Sequence, residues 1–255
     1  MSRPLISALA RPDAGWFLSL YPDAGEAGGS FQASTRAPRT WVAPGDAADP
    51  DRSRQEAARR ARAKVRRYCA ANRLNRLGTL TYRGAGCHDQ SQVRLDVAAF
   101  FLALRCELRG RSLPYVWVPE WHKSDHGLHV HFAVGEFVPR QMIERSWGRG
   151  FVHIKRLSDM PVGSTSLHEA RRAAGYLSKY VTKSFESGPR ERLAGLHRYE
   201  VAQGFQPKVM RFEGRSSAEV LSKAEALMAG SPALSWSSAE VEDWQGPPAV
   251  WFAWG

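Results

Sequence analysis

Long apolar runs are missing from this chain: no stretch approaches the ~18 consecutive apolar residues that a membrane-spanning helix needs. The opening Met1 to Pro12 has no long apolar core, so a signal peptide is not expected. Cysteine is scarce. Cys69, Cys87 and Cys106 are odd in number and lack paired spacing, which excludes a disulfide scaffold and a four-cysteine zinc site and favours a reducing, cytoplasmic setting. Acidic residues are outnumbered, 25 against 36 Lys and Arg, giving a formal charge of +11. A protein this basic most often meets a polyanion, usually nucleic acid. Lysine is rare, 7 against 29 arginines. Guanidinium groups suit bidentate phosphate contacts, although a GC-rich coding sequence accounts for much of the bias. No G-x-x-x-x-G-K-[ST] run occurs, so the sequence carries no nucleotide-driven motor.

What is present fills 255 residues, enough for one substantial domain with appended arms. Residues 1–50 are rich in Gly, Pro, Ala and Ser without a helical or strand period. They read as a flexible N-terminal arm, with Trp16–Tyr21 able to dock on the body. Residues 51–76 carry ten Arg and Lys but only two acids on an Ala-rich background, which predicts a basic helix. Arg59, Arg60, Arg66 and Arg67 on it are candidate DNA-binding residues, an electrostatic rail for a phosphate backbone.

From residue 77 the periods change. Leu77–Tyr82, Tyr115–Val118, Leu128–Val134 and Phe151–Ile154 read as strands. Val93, Val97, Phe100, Phe101, Leu104 and Leu108 recur at helical spacing, and Pro139 to Trp147 reads as a short helix. Ser166-x-x-Glu169 has the form of a capping box that starts a longer helix. The order βαββαβ predicts an α+β, ferredoxin-like or RRM-like antiparallel sheet with its helices on one face. The expected domain spans 51–214, with its motif core at 77–184 and a C-terminal helix and Trp-rich tail over 215–255. Residues 197–201 and 208–212 alternate like a hairpin.

Four of the eight histidines lie within ten residues: His122, His126, His129 and His131. His129 and His131, two apart on a strand, project from one face of the sheet. Leu128, Val130 and Phe132 point to the other. A hairpin would return Glu120 beside His129. Two imidazoles and one carboxylate, with positions left open, suit a catalytic divalent metal. His122 and His126 sit in the connection, where solvation is expected and either is a substitute ligand.

The second constellation is Tyr176-Leu177-Ser178-Lys179-Tyr180-Val181-Thr182-Lys183. At 100° per residue Ala170, Ala173, Ala174, Leu177 and Val181 form one apolar stripe. Tyr176, Tyr180, Lys179 and Lys183 share the arc beside it. A phenol, pKa ~10, becomes a useful nucleophile where neighbouring charge stabilises its oxyanion.

The strand Leu77–Tyr82, the His129-Val130-His131 pair and the Tyr176–Lys183 run resemble, in that order, the three motifs of HUH endonucleases. More narrowly they resemble the rolling-circle replication initiators of plasmids and single-stranded DNA phages. The resemblance implies the HUH endonuclease fold, with Mg²⁺ or Mn²⁺ as cofactor and His129, His131 and Glu120 as its ligands. It also implies site-specific nicking and joining of single-stranded DNA through a 5′-phosphotyrosine. The implied partners are a single-stranded origin, expected as a hairpin, and host helicase and polymerase; no membrane is implied. Both tyrosines are present, as in two-tyrosine phage initiators, with Tyr180 the expected first nucleophile and Lys179 and Lys183 as charge stabilisers. Two alternatives stay open at this point, an HUH-type transposase and a non-catalytic module for single-stranded nucleic acid. The second is disfavoured by the absence of an RNP-type aromatic run on the central strands.

Overall fold

The computed structural model describes residues 14–33, 42–43, 46–122, 124–157, 160–186 and 198–255. The chain divides into two compact units, Ala43–Pro207 and a second built from Met1–Val42 with Lys208–Gly255.

In the Ala43–Pro207 unit, helix α1 (Pro50–Ala71) leads into strand β3 (Arg76–Tyr82), helix α2 (Gln90–Glu107) and strands β4 (Tyr115–Trp121) and β5 (Leu128–Val134). Helix α3 (Arg140–Trp147), β6 (Gly150–Arg156), helix α4 (Ser166–Glu186) and a short β7 (Glu200–Val201) follow. The sheet order is β6-β3-β5-β4-β7, antiparallel throughout. The βαββαβ order and the antiparallel ferredoxin-like sheet agree with the expectation from the sequence. Helices, however, cover both faces. The crossover helices α2 and α3 pack Val97, Phe100, Leu104, Ile143 and Trp147 against Leu80, Val130, Phe132 and Val152. On the opposite face, α1 and α4 bury Ala61, Val65, Tyr68, Ala173, Ala174, Leu177 and Val181 against Val116, Val118 and Ala133. A periodic stripe shows which residues are buried, not which side of a sheet receives them, and that is why one-sided packing is corrected here.

The apolar stripe of α4 is buried from Ala170 to Val181 as its spacing requires. Its start differs from the expected capping box. Thr165 precedes the first turn, its Oγ1 accepting from the His168 backbone N–H at 3.4 Å. Glu169 instead turns its carboxylate inward, accepting from Asn75 Nδ2 at 2.5 Å and Arg156 Nη2 at 2.7 Å. Helix α1 also ends earlier than residue 76, where the chain turns through Arg73 at φ 53° before entering β3. Gly78 in β3 has a steric reason: a Cβ there would stand 2.2 Å from the Phe132 ring. That contact seats Phe132 over β3 and holds the β3–β5 register.

The second unit corrects the expected arm and tail. Strands β1 (Gly15–Tyr21) and β2 (Glu26–Gln32) form a hairpin, joined by β8 (Met210–Gly214), β9 (Leu234–Ser237) and β10 (Ala249–Ala253) in the order β8-β1-β2-β10-β9. Helix α5 (Ser217–Met228) places Val220 and Ala224 against Leu18, Leu20, Val250 and Phe252. The tail tryptophans belong to this unit: Trp254 is buried, and Trp236 and Trp244 meet edge to face at 5.4 Å. The expected hairpin of 197–201 and 208–212 does not form, because β7 pairs with β4 and β8 with β1; His197 lies outside the described residues. Residues 1–13, 34–41 and 44–45 of the expected arm lie outside them too.

The Glu169 node makes a testable case. The Asn75 hydrogen bond, then Arg156 and Arg76, hold its carboxyl below the usual carboxylate range. Its stabilising effect is therefore full above the ordinary glutamate pKa of about 4.3 and fades as pH falls through the lowered folded value. Glu169→Ala should cost about 1–3 kcal/mol in urea unfolding at pH 7, and the gap from wild type should close in acid. A gap that is unchanged at the lowest accessible pH would exclude the charged node.

Candidate active site

Strand β5 alternates strictly. Leu128, Val130 and Phe132 enter the α2–α3 core, so His129 and His131 are turned toward the face that carries α1 and α4. In the β4–β5 ladder Glu120 stands opposite His129, and Val118 opposite His131. Pro119 is tolerated because β7 pairs only with Val116 and Trp117, leaving the rest of β4 an edge. Helix α4 lies over β4 and β5 and brings its tyrosines and lysines to this end of the sheet.

His131 is the meeting point. Its Nε2 is 2.8 Å from Glu120 Oε2, and its Nδ1 is 3.1 Å from Thr79 Oγ1 on β3. The Tyr180 ring stacks on the imidazole at 3.8 Å and an interplanar angle of 7°. Lys183, one turn after Tyr180, donates its Nζ to the other Glu120 oxygen at 2.5 Å. Tyr176 meets Tyr180 edge to face at 6.0 Å, and Lys179 and Lys183 lie near the Tyr176 and Tyr180 rings, 5.2 and 5.4 Å from their centroids. The sequence-derived set of Glu120, His129, His131, Tyr176, Tyr180, Lys179 and Lys183 therefore falls in one region.

His129 has a different environment. Its Nε2 is buried and has no hydrogen-bond partner among the described residues. The His122 ring stacks on it at 4.3 Å, and His126, half-buried, donates Nε2–H to the Tyr82 carbonyl at 2.9 Å. His126 is thus tied to the end of β3, contrary to the solvated position expected of it, whereas His122 is exposed. Burial first, then the neighbouring His122, His131 and His126, push the His129 pKa down to about 4. Burial also lowers that of His131, opposed by Glu120. Both rings accordingly stay neutral at pH 7 and keep a lone pair for a ligand.

Among the described residues no three His, Cys, Asp or Glu side chains are gathered closely enough to hold a metal ion as they stand. The chemistry of the donors nevertheless fits a divalent cation: two neutral imidazoles, one with an orphaned buried nitrogen, beside a carboxylate.

Tyr180 is not a free phenol. Burial, then the Tyr176 phenol and the Glu120 carboxylate, push its pKa up to about 12. The lysines do not reverse this, since Lys183 is engaged by Glu120.

The four arginines of the expected rail do not act alike. Arg59 and Arg60 are exposed on α1, Arg59 paired with Glu56 at 2.8 Å, whereas Arg66 and Arg67 are half-buried and engaged with neighbours. Thr79 is the site residue that sequence reading missed. Its only signal is a polar side chain in the β3 alternation on the face that meets the histidines.

An antiparallel βαββαβ sheet bearing a Glu/His/His set beside a two-tyrosine helix defines a replication-initiator class of protein. Residues 75–185 match the model of the replication-associated protein ORF2 family, which supports a rolling-circle replication initiator type, and the site from Thr79 to Lys183 lies inside that segment. No curated protein and no solved structure matches the chain. No helix among the described residues is long and apolar enough to cross a membrane.

The histidine environment predicts an NMR outcome. In a ¹⁵N-edited titration the His129 ring should stay neutral through pH 6 and protonate near pH 4. His122→Ala should raise that value by removing a like charge. Titration near the ordinary 6.5 would exclude the buried environment.

Proposed function

We propose that this chain is a site-specific single-stranded DNA nicking and joining enzyme that initiates rolling-circle replication. The stacking of Tyr180 on His131, itself bound to Glu120, carries the reading, because it sets a nucleophile against the candidate metal ligands. His129, His131 and Glu120 would hold a divalent cation, Mn²⁺ being at least as effective as Mg²⁺ with two nitrogen ligands. Such an ion polarises the scissile phosphate and offsets the charge that builds on its oxygens.

The remaining roles belong to the chain itself. Thr79 fixes the His131 ring by a hydrogen bond at Nδ1. The Tyr180 phenol loses its proton and its oxygen forms a bond to phosphorus. The bond from phosphorus to the 3′ oxygen breaks, and that oxygen takes up a proton. The protein keeps the 5′ phosphate and the free 3′-hydroxyl primes synthesis. Lys179, exposed beside Tyr176, supplies positive charge to the pentavalent transition state. Tyr176 then attacks for the second transfer, one helical turn or ~6 Å away. The basic face of α1 follows the phosphate backbone, and a host helicase and polymerase act with the nicked origin.

A covalent-adduct gel with single-stranded origin DNA tests this. Tyr180→Phe should abolish or sharply reduce the first adduct, while Tyr176→Phe should permit it and impair strand joining. His131→Ala or EDTA should stop cleavage yet leave most DNA binding. Wild-type adduct yield from the double tyrosine variant would remove this helix as the source of the nucleophile.

DNA affinity is expected to fall steeply with salt. Converting Arg59, Arg60, Arg66 and Arg67 to glutamate should weaken binding and flatten the salt slope. An unchanged slope in fluorescence anisotropy would assign α1 a purely structural role.

A further inference from the structure

Helices α1 and α4 lie over β4 and β5, and the β3–β6 half of the same sheet face carries exposed side chains. Register fixes its occupants. Phe151 pairs with Thr81, His153 with Thr79 and Lys155 with Leu77. Val152 and Ile154 pack into the α2–α3 side, so Phe151, His153 and Lys155 project from the face that bears His131. All three are exposed, Phe151 at 70%.

A phenylalanine this open on a strand has no core to join. Its row is continuous with the candidate active site: His153 stands beside Thr79, and Thr79 bonds His131, on which Tyr180 stacks. Two strand spacings, about 10 Å, separate the β6 row from the histidine strand. The row Phe151, His153 and Lys155, with Thr79 and Thr81 next to it, contains a cation and no carboxylate. An apolar ring face flanked by positive charge and hydroxyls matches an unpaired base on a phosphate backbone.

We infer that β6 is a binding subsite for single-stranded DNA, in which Phe151 stacks a base flanking the scissile phosphate and Lys155 contacts the backbone. The choice of DNA as occupant rests on the proposed strand-transfer reading; the platform itself rests on register and exposure. Phe151 is a specificity-determining residue in this scheme and touches no reacting atom.

The test uses the full chain and fluorescein-labelled (dT)20 in anisotropy titrations. Phe151→Leu should fold normally, with an unchanged melting temperature, and lose about 5- to 150-fold in affinity, the equivalent of about 1–3 kcal/mol for one stacked base. Phe151→Trp should restore or exceed wild-type binding. Phe137→Leu, which alters an equally exposed aromatic outside this row, should bind as wild type does. Wild-type affinity in Phe151→Leu, an equal loss in Phe137→Leu, or no binding of (dT)20 by the wild-type chain would overturn the inference. Stronger Phe151-dependent binding of (rU)20 than of (dT)20 would overturn the assignment to DNA. The adduct assay separates the two readings. Phe151-dependent binding in a chain that forms no adduct keeps the platform and removes the nuclease. An adduct-forming chain in which Phe151→Leu binds normally does the reverse.

Discussion

The two-residue period of β5 is the constraint on which the rest of the structure depends. Phe132 seated over Gly78 locks β5 against β3, and a slip of one residue would send both imidazoles into the α2–α3 core. The same lock puts Glu120 opposite His129. The pairing that builds the sheet thus also selects the donor atoms, so the candidate site needs no separate scaffold. Apolar packing on one face fixes the chemistry on the other.

Electrostatically the site is poised and incomplete. Glu120 satisfies its two oxygens with His131 and Lys183, while the nitrogen of His129 stays buried and unpaired. An unpaired buried polar atom costs of order 1–3 kcal/mol, a cost tolerated chiefly where a site gains a ligand. Tyr180 is held as a neutral phenol by burial and by the Tyr176 phenol and Glu120 carboxylate nearby. These features agree: neutral imidazoles keep their lone pairs, and a neutral phenol keeps its proton until positive charge reaches the carboxylate beside it.

Much of this was legible in the sequence wherever the signal is local. Period 2 gave β3, β4, β5 and β6, period 3.6 gave the buried stripe of α4, and a hairpin returned Glu120 to His129. The remainder depends on partners that a period does not name. Strand β1 pairs with β8, and β2 with β10, from the far end of the chain, and the Gly-rich Glu26–Gln32 run has little strand propensity of its own. Its Gly29 is required by the neighbouring strand, since a Cβ would stand 2.3 Å from the Phe17 carbonyl oxygen. Ser166-x-x-Glu169 fits a capping box, yet tertiary contacts with Asn75 and Arg156 claim the carboxylate. Thr79 escaped notice because threonine is ordinary in any strand; only its hydrogen bond to His131 distinguishes it.

The two tyrosines show how one residue type acquires two environments within a helical turn. Tyr180 is half-buried on the His131 ring, and Tyr176 is 47% exposed with Lys179 near its ring. Burial raises the barrier to ionising Tyr180 but fixes its ring, which removes an entropic cost from attack. Tyr176 has the opposite balance, more freedom and more water. A reaction with two successive transfers has use for both: a positioned first nucleophile that acts once the site is charged, and a mobile second that meets the joining strand. The asymmetry follows from the apolar stripe of α4, because rotation about the helix axis carries position 180 closer than position 176 to the buried line through Leu177 and Val181.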